Sequence, residues 1–147
     1  SSSKRSKRGL NFQEFVKEML IGYGFEESLK DLGGMRFSSN KFVKGCRHKI
    51  RCKPDFNFGN LIIDTKTGFH ISSKQDQIKR YFSHSGRIII LVLNGKTRVE
   101  RIKDLPVEII NFEDFLTNSS EILGVQFEKS EAQALSATLK RSPFWKG

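Results

Sequence analysis

Two aspartates and a lysine occur at spacings that could assemble a hydrolytic metal site. Asp55 and Asp64 lie on either side of Gly59-Asn60, a pair that favours a two-residue turn between antiparallel strands. With Gly59 and Asn60 in the turn, Asp55 faces Asp64, and two opposed carboxylates repel each other unless a cation lies between them. Lys66 points to the same face, because side chains alternate along a strand. The acid pair and the ammonium group therefore predict a divalent-metal site suited to hydrolysis.

The rest of this predicted hairpin supplies an apolar anchor. Phe56, Phe58, Leu61 and Ile63 fall on the face opposite the acids. The alternative reading of the polar face is a surface salt-bridge cluster, in which each pair contributes only ~0–1 kcal/mol. That reading leaves the opposition of two acids unexplained.

The charge of the chain narrows the classes of partner. Its 147 residues carry a formal net charge of +10, which attracts polyanions, and nucleic acid is the commonest of these inside cells. A basic protein without such a partner, or one that binds acidic lipid, stays open as an alternative. No apolar run reaches the ~18 residues of a membrane span, and the basic, serine-rich start lacks the apolar region of a signal peptide. We therefore predict no membrane association and an intracellular location, in the cytoplasm or nucleoid, or in the nucleus of a eukaryote.

Cysteine and histidine do not suggest another kind of site. Cys46 and Cys52 are the only two cysteines, and we interpret them as free thiols of a reducing compartment. The three histidines show no close ligand spacing that would complete a zinc site with them. The acid pair is thus the leading candidate for metal chemistry.

The chain is predicted to form one domain over residues 10–147, preceded by a flexible basic tail over residues 1–9. Apolar residues at helical spacing predict a helix from Asn11 to Tyr23, which Gly24 ends. Segments 35–43 and 46–58 are predicted to be extended, and the second leads into the hairpin. The first acid therefore lies in the second of these extended segments, after the helix and the first segment.

The elements after the hairpin predict a βαβ unit. A strand over 61–65 is followed by a helix over 73–84, capped by Ser72 or Ser73, and by a strand over 87–93. The run Ile88 to Leu93 is continuously apolar, which is typical of a strand buried on both faces. Strands near 97–102 and 107–110 follow, then a short helix capped by Asn111 and a last helix over 130–140. The predicted fold class is α/β, a mixed central β-sheet flanked by helices.

Two motifs in this order resemble a known superfamily. Pro54-Asp55 followed by Asp64-Thr65-Lys66 matches the PD-(D/E)xK pattern, and Gln77 with Tyr81 matches the QxxxY pattern of several of its branches. The chain thus resembles the restriction-endonuclease-like nucleases over about residues 11–93. The resemblance implies a core of order α-β-β-β-α-β, with further C-terminal β and α elements.

The resemblance also implies a role for each motif residue. Asp55 and Asp64 would be catalytic metal ligands, with the Thr65 carbonyl as a third ligand. Mg²⁺ would be the cofactor, with Mn²⁺ as a substitute, because it activates water and neutralises phosphate charge. Lys66 would orient or deprotonate the attacking water and stabilise the charge on phosphorus.

Further residues are predicted to support the site or to bind DNA. Gln77 and Tyr81 are neighbours on one helix face and could hold the lysine or a phosphate, although Tyr81 could equally belong to the apolar stripe. Lys74 is a candidate phosphate contact or a solvated lysine. Glu14 is the candidate first-helix acid, yet it lies nearly opposite the apolar stripe.

Basic residues alternate along the strand that precedes the hairpin. Arg47, Lys49 and Arg51 would share one strand face and could follow a DNA backbone. The alternative is an exposed edge strand protected by charge against aggregation.

The predicted function is a Mg²⁺-dependent DNA endonuclease that leaves 5′-phosphate and 3′-hydroxyl ends. A homodimer is expected, because cutting both strands needs two sites related by a twofold axis. Junction-resolving, homing and restriction types all stay open. Two alternatives from other classes are a non-catalytic nucleic-acid-binding module on a nuclease fold and a metal-independent RNA nuclease.

Overall fold

The computed structural model describes residues 2–25 and 54–142, which form helices on both sides of a β-sheet. The segments predicted to be extended over 35–43 and 46–53 lie outside these residues, together with Arg47, Lys49 and both cysteines. The described elements are α1 (Ser2–Gly22), β1 (Phe56–Asn57), β2 (Leu61–Lys66), a 3-10 turn (Ile71–Ser73), α2 (Gln75–Phe82), β3 (Arg87–Val92), β4 (Arg98–Ile102), β5 (Leu105–Asn111), α3 (Phe112–Thr117), α4 (Ser119–Leu123) and α5 (Lys129–Arg141).

In the described part of the chain the sheet is mixed and has five strands in the order β1-β2-β3-β5-β4. Strands β2, β3 and β5 run parallel to one another, and β1 and β4 pair antiparallel to β2 and β5 respectively. This arrangement confirms the predicted class, an α/β protein with a mixed sheet flanked by helices. Because β2, β3 and β5 are parallel, their C-terminal ends lie on the same side of the sheet.

The core is divided between the two faces of the sheet. Ile89 and Leu91 of β3 pack with apolar residues of α1, α3, α4 and α5. Ile88 and Ile90 point the other way and pack with Ile78 of α2. Strand β3 is therefore buried on both faces, as its continuous apolar run predicts.

Helix α1 confirms the predicted first helix but begins earlier. Phe12, Val16 and Leu20 are fully buried, and Gly24 follows the helix with a φ of +92°, which glycine adopts at little cost. The backbone is already helical from Ser2, so the segment expected to be a flexible tail forms the first turns of α1. Lysine and arginine are good helix formers, and each residue added to an existing helix needs no new nucleation. The domain boundary at residue 10 stays a prediction.

Two predicted helix starts have different outcomes. The predicted serine cap of α2 is wrong: Lys74 is the N-cap and makes no side-chain cap bond. Ser73 instead donates its hydroxyl to the His70 carbonyl at 3.0 Å within the 3-10 turn. Asn111 caps α3 as predicted, because its Oδ1 accepts from the Asp114 N–H at 2.9 Å.

The C-terminal part contains one helix that the sequence pattern does not predict. Helix α4 is only five residues long, too short for a clear apolar period, and Gly124 ends it with a φ of +75°. Helix α5 matches the predicted last helix to within a residue at each end. None of the helices in the described part of the chain is both long enough and apolar enough to span a membrane.

Candidate functional site

The β1–β2 hairpin has the predicted register. Phe56 pairs with Ile63 and Asn57 with Ile62, and the Phe58 N–H donates to the Leu61 carbonyl at 2.8 Å. Gly59 in the turn has a φ of +84°, which residues with a Cβ rarely adopt. The turn therefore places Asp55 and Asp64 opposite each other just beyond the paired residues.

Two side chains outside the motif hold this turn in place. Asn57 Oδ1 accepts a hydrogen bond from the Gly59 N–H at 3.0 Å, which is an Asx-type turn. Ser85 Oγ, in the loop after α2, donates to the Gly59 carbonyl at 3.0 Å. The Asn-x-Gly spacing could have indicated the first contact, whereas no local signal indicates the second.

Asp55 and Asp64 are joined by direct and shared contacts. The Asp55 N–H donates to Asp64 Oδ1 at 3.1 Å, and the negative charge of Asp64 acts to raise the pKa of Asp55. Asp55 Oδ2 accepts two hydrogen bonds from Thr65, at 2.7 Å from its N–H and 2.6 Å from its hydroxyl. Thr65 thus orients Asp55 through its N–H and hydroxyl, and the predicted metal contact of its carbonyl stays a prediction.

Asp64 is buried with little compensation for its charge. Its side chain is 3% exposed, and its Oδ2 makes no hydrogen bond among the described residues. Lys66 Nζ lies 3.2 Å from this oxygen and forms an ion pair with it, while the lysine side chain is 23% exposed. The ammonium group therefore connects a buried carboxylate with solvent.

The electrostatics of the pair favour a bound positive charge. Burial, and then the negative charge of Asp64, raise the pKa of Asp55 to about 7, although the hydrogen bonds from Thr65 act in the opposite direction. Among the described residues, Lys66 is the cation that pairs with Asp64. A proton or a further cation between the carboxyl groups would relieve their repulsion.

The two carboxylates fit the needs of Mg²⁺. This ion takes oxygen ligands and keeps several waters, so one or two carboxylates and a substrate phosphate suffice. Among the residues that the structure describes, no group of three or more His, Cys, Asp or Glu side chains is placed to hold a metal. Asp55 and Asp64 would supply the protein ligands of one ion, and water and substrate would supply the remaining ligands.

Helix α2 covers the face of the sheet to which Asp64 belongs. Ile62, two residues before Asp64, packs with Ile78 and Tyr81 in one cluster. Tyr81 is fully buried, in agreement with the apolar-stripe reading. Gln77 is half-buried, and its Oε1 finds no hydrogen-bond partner among the described residues.

A polar cavity lies at the start of α2. It measures about 480 Å³, and its lining includes Lys74, Gln77 and Arg80. Lys74 is exposed, as expected of a phosphate contact or of a solvated lysine. The amino end of α2 lies near the carboxyl end of β2, since a helix that connects parallel strands runs back along the sheet.

The other predicted site residues do not join the acid pair in the described structure. Glu14 is exposed on α1 and completes no three-ligand group with Asp55 and Asp64. Arg47 and Lys49 lie outside the described residues, so their predicted DNA contacts stay predictions. Compared with protein-family models, curated proteins and solved structures, the chain matches none.

Proposed function

We propose that this chain is a Mg²⁺-dependent DNA endonuclease with a restriction-endonuclease-like core. The observation that carries the proposal is the pair of adjacent carboxyl groups, Asp55 and Asp64, with one oxygen of buried Asp64 compensated only by Lys66 among the described residues. A surface salt bridge does not account for this pair, because Asp64 is almost fully buried. A site that receives a divalent cation does account for it.

Each residue of the candidate site has its own role in this proposal. Asp55 and Asp64 hold the ion, which when bound supplies charge neutralisation and lowers the pKa of a bound water. Thr65 keeps Asp55 oriented through its two hydrogen bonds. Lys66 orients the attacking water and offsets the negative charge that develops on phosphorus. Water adds to phosphorus and the bond to O3′ breaks, which leaves a 5′-phosphate and a 3′-hydroxyl.

The position of the site suits a long polyanionic substrate. Asp64 and Lys66 lie near the carboxyl end of β2, where the parallel strands of the sheet also end. Ligands of open α/β sheets commonly bind at the C-terminal ends of the strands. Lys74 at the amino end of α2 lies near these strand ends, and the net charge of +10 attracts DNA to the molecule.

DNA as the substrate and a homodimer as the working form belong to the proposal. Two copies related by a twofold axis would present one site to each strand of a duplex. Junction-resolving, homing and restriction-type cleavage are the candidate specificities. Cleavage of linear duplex, four-way junction and single-stranded DNA, measured side by side, separates junction-resolving cleavage from the other two.

The first test is cleavage of supercoiled plasmid. With Mg²⁺ the wild-type protein should nick and linearise the plasmid, and EDTA should abolish the reaction. Asp64→Asn should lower the rate by about a hundredfold or more, since a metal ligand and a buried charge are lost together. Asp104→Asn is the matched control, because Asp104 is exposed in the β4–β5 turn, and it should cleave at the wild-type rate.

Other outcomes would contradict the proposal. Full activity of Asp64→Asn would place the reaction elsewhere in the chain. Slower migration of the plasmid in a gel, without cleavage in Mg²⁺ or Mn²⁺, would indicate a non-catalytic nucleic-acid-binding module. Degradation of RNA in excess EDTA would indicate the metal-independent RNA nuclease.

A further inference from the structure

Strand β4 forms an open edge in the described part of the sheet. It is the last strand in the order β1-β2-β3-β5-β4, and no described strand pairs with its outer side. Val99 in the middle of β4 is 59% exposed, and Leu105 at the start of β5 is 37% exposed. Three large apolar side chains are exposed among the described residues, and two of them belong to the β4–β5 hairpin. An open strand edge with exposed apolar residues can pair with another strand.

The register of the hairpin shows which backbone groups face outward. Ile102 pairs with Leu105 across the two-residue turn, so these two form a hydrogen-bonded pair. Because hydrogen-bonded and non-hydrogen-bonded pairs alternate, Glu100 and Arg98 also direct their backbone groups toward β5. The N–H and C=O of Val99 therefore point away from β5, to the open edge.

A contact at the far end of the hairpin supports this assignment. The N–H of Asn111 in β5 donates to the hydroxyl of Thr97, just before β4, at 3.0 Å. Every second residue of β5, from Leu105 to Asn111, therefore directs its N–H group toward β4, and this is the alternation that the turn geometry predicts. Val99 can form a new ladder without losing a bond to β5.

The charges on β4 complement those of a second copy of the same strand. In an antiparallel pair centred on Val99, Val99 faces Val99 of the second copy, and Arg98 faces Glu100 of the second copy on both sides of the axis. Arg98 and Glu100 lie on one face of the strand, where they form an ion pair with each other at 3.3 Å, and their side chains are 36% and 33% exposed, so a second copy would extend this pair to a network of four charges. Charges on an edge usually prevent pairing, but these two charges favour this register.

We propose that two copies of the chain pair through β4, antiparallel and with a twofold axis at Val99. The occupant of the edge is a second copy because the strand is complementary to itself in charge and in backbone groups. The pairing joins two five-stranded sheets into one continuous sheet. The inference concerns assembly and does not depend on the proposed nuclease activity, since it is tested without metal or DNA.

Sedimentation equilibrium of the full chain tests the pairing. The wild-type protein should show a mass about twice the 16.9 kDa of the chain. Val99→Pro removes the outward N–H and keeps the bonds to β5, so it should raise the dimer dissociation constant by about ten- to a hundredfold. Val99→Thr keeps the N–H and is the matched control, which should dimerise as the wild type does.

Charge variants test the register. Arg98→Glu alone and Glu100→Arg alone each place like charges opposite each other in both halves of the pair, so each should be monomeric. A mixture of the two places opposite charges at both positions and should form a heterodimer of wild-type strength. Thermal melts of each variant show that it is folded, which matters because Arg98 also donates to the Phe69 carbonyl at 3.0 Å.

Three results would overturn the inference. A wild-type protein that stays monomeric has no such pair, and its edge is then open or covered by another part of the same chain. A folded Val99→Pro protein with wild-type dimer strength uses another surface. A mixture of the two charge variants that stays monomeric excludes the register.

Discussion

At the scale of single residues, burial separates the candidate site from an ordinary surface ion pair. Asp64 is almost fully buried beside Asp55, while Lys66 reaches solvent. Taking a carboxylate out of water costs several kcal/mol, and an exposed pair repays about 1 kcal/mol or less. A protein that keeps two acids here therefore gives up stability, which is common at functional sites.

The raised pKa of Asp55 predicts a pH dependence of stability. The ordinary pKa of 3.8 applies to the unfolded chain and a pKa of about 7 to the folded chain, so the folded state binds more protons between these values. Without divalent metal, the free energy of unfolding should fall as the pH rises from about 4 to about 7. Asp55→Asn should remove this part of the slope, and urea unfolding in EDTA at several pH values measures it.

A metal ion should act against that loss. If the ionised pair holds Mg²⁺ as proposed, the ion should raise the free energy of unfolding of the wild-type protein at pH 7 and have little effect at pH 4. For the pH dependence, Asp104→Asn is the control, and its free energy of unfolding should change with pH as that of the wild type does. If the profiles of the wild type and Asp55→Asn are parallel, the burial of Asp55 does not contribute to the pH dependence of stability.

At the scale of elements, the hairpin turn determines whether the two acids meet. Gly59 has a φ of +84°, and a Cβ added there would meet no atom within 4 Å. Any cost of a side chain at this position is therefore backbone strain and not a clash. The turn also receives the hydrogen bond from Ser85, so a distorted turn would loosen the contact with the loop after α2.

Gly59→Ala should lower the free energy of unfolding by about 1 kcal/mol, since alanine is strained at positive φ. Gly68→Ala is the matched control, because its Cβ also meets nothing within 4 Å and its φ is not positive. The control should be neutral or slightly stabilising. Chemical denaturation of the two variants gives the difference, and equal stabilities would mean that the turn tolerates a side chain.

At the scale of the whole molecule, the excess of positive charge predicts how DNA binding depends on salt. The chain has 26 basic and 16 acidic residues. Under the proposed function the protein binds the phosphate backbone and releases counterions, so the logarithm of the affinity should fall linearly with the logarithm of the salt concentration. This electrostatic attraction acts at long range, whereas the proposed metal site would act only on the phosphate that is cleaved.

Asp64→Asn should bind duplex DNA without cutting it, which permits the measurement in Mg²⁺. If about six phosphates are neutralised, the affinity should fall about a thousandfold between about 50 and 200 mM salt. Fluorescence anisotropy with a labelled duplex measures the slope. A salt-independent affinity would exclude DNA binding through the basic surface and would favour a different partner.

Local features of the fold can be predicted from neighbouring residues of the chain. The Gly-Asn turn predicts the hairpin register, the continuous apolar run predicts the buried strand β3, and Asn111 is a predicted helix cap. Each rests on neighbours along the chain, where turn geometry, side-chain alternation and capping act within a few residues. The meeting of Asp55 and Asp64 follows from that register.

Only the tertiary structure decided which distant groups complete these features. The Ser85 contact to the turn, the burial of the Gln77 oxygen and, among the described strands, the outermost position of β4 all depend on how α2 and the strands pack. Sequence patterns do not reveal such contacts, because a side chain's burial and partners are set by elements far away in the chain. The burial of Asp64, and hence the free energy that its charge costs, also depends on tertiary packing. The alternation of a strand predicts which face of the sheet a residue lies on, but the elements that pack on that face determine how much of the side chain is solvated.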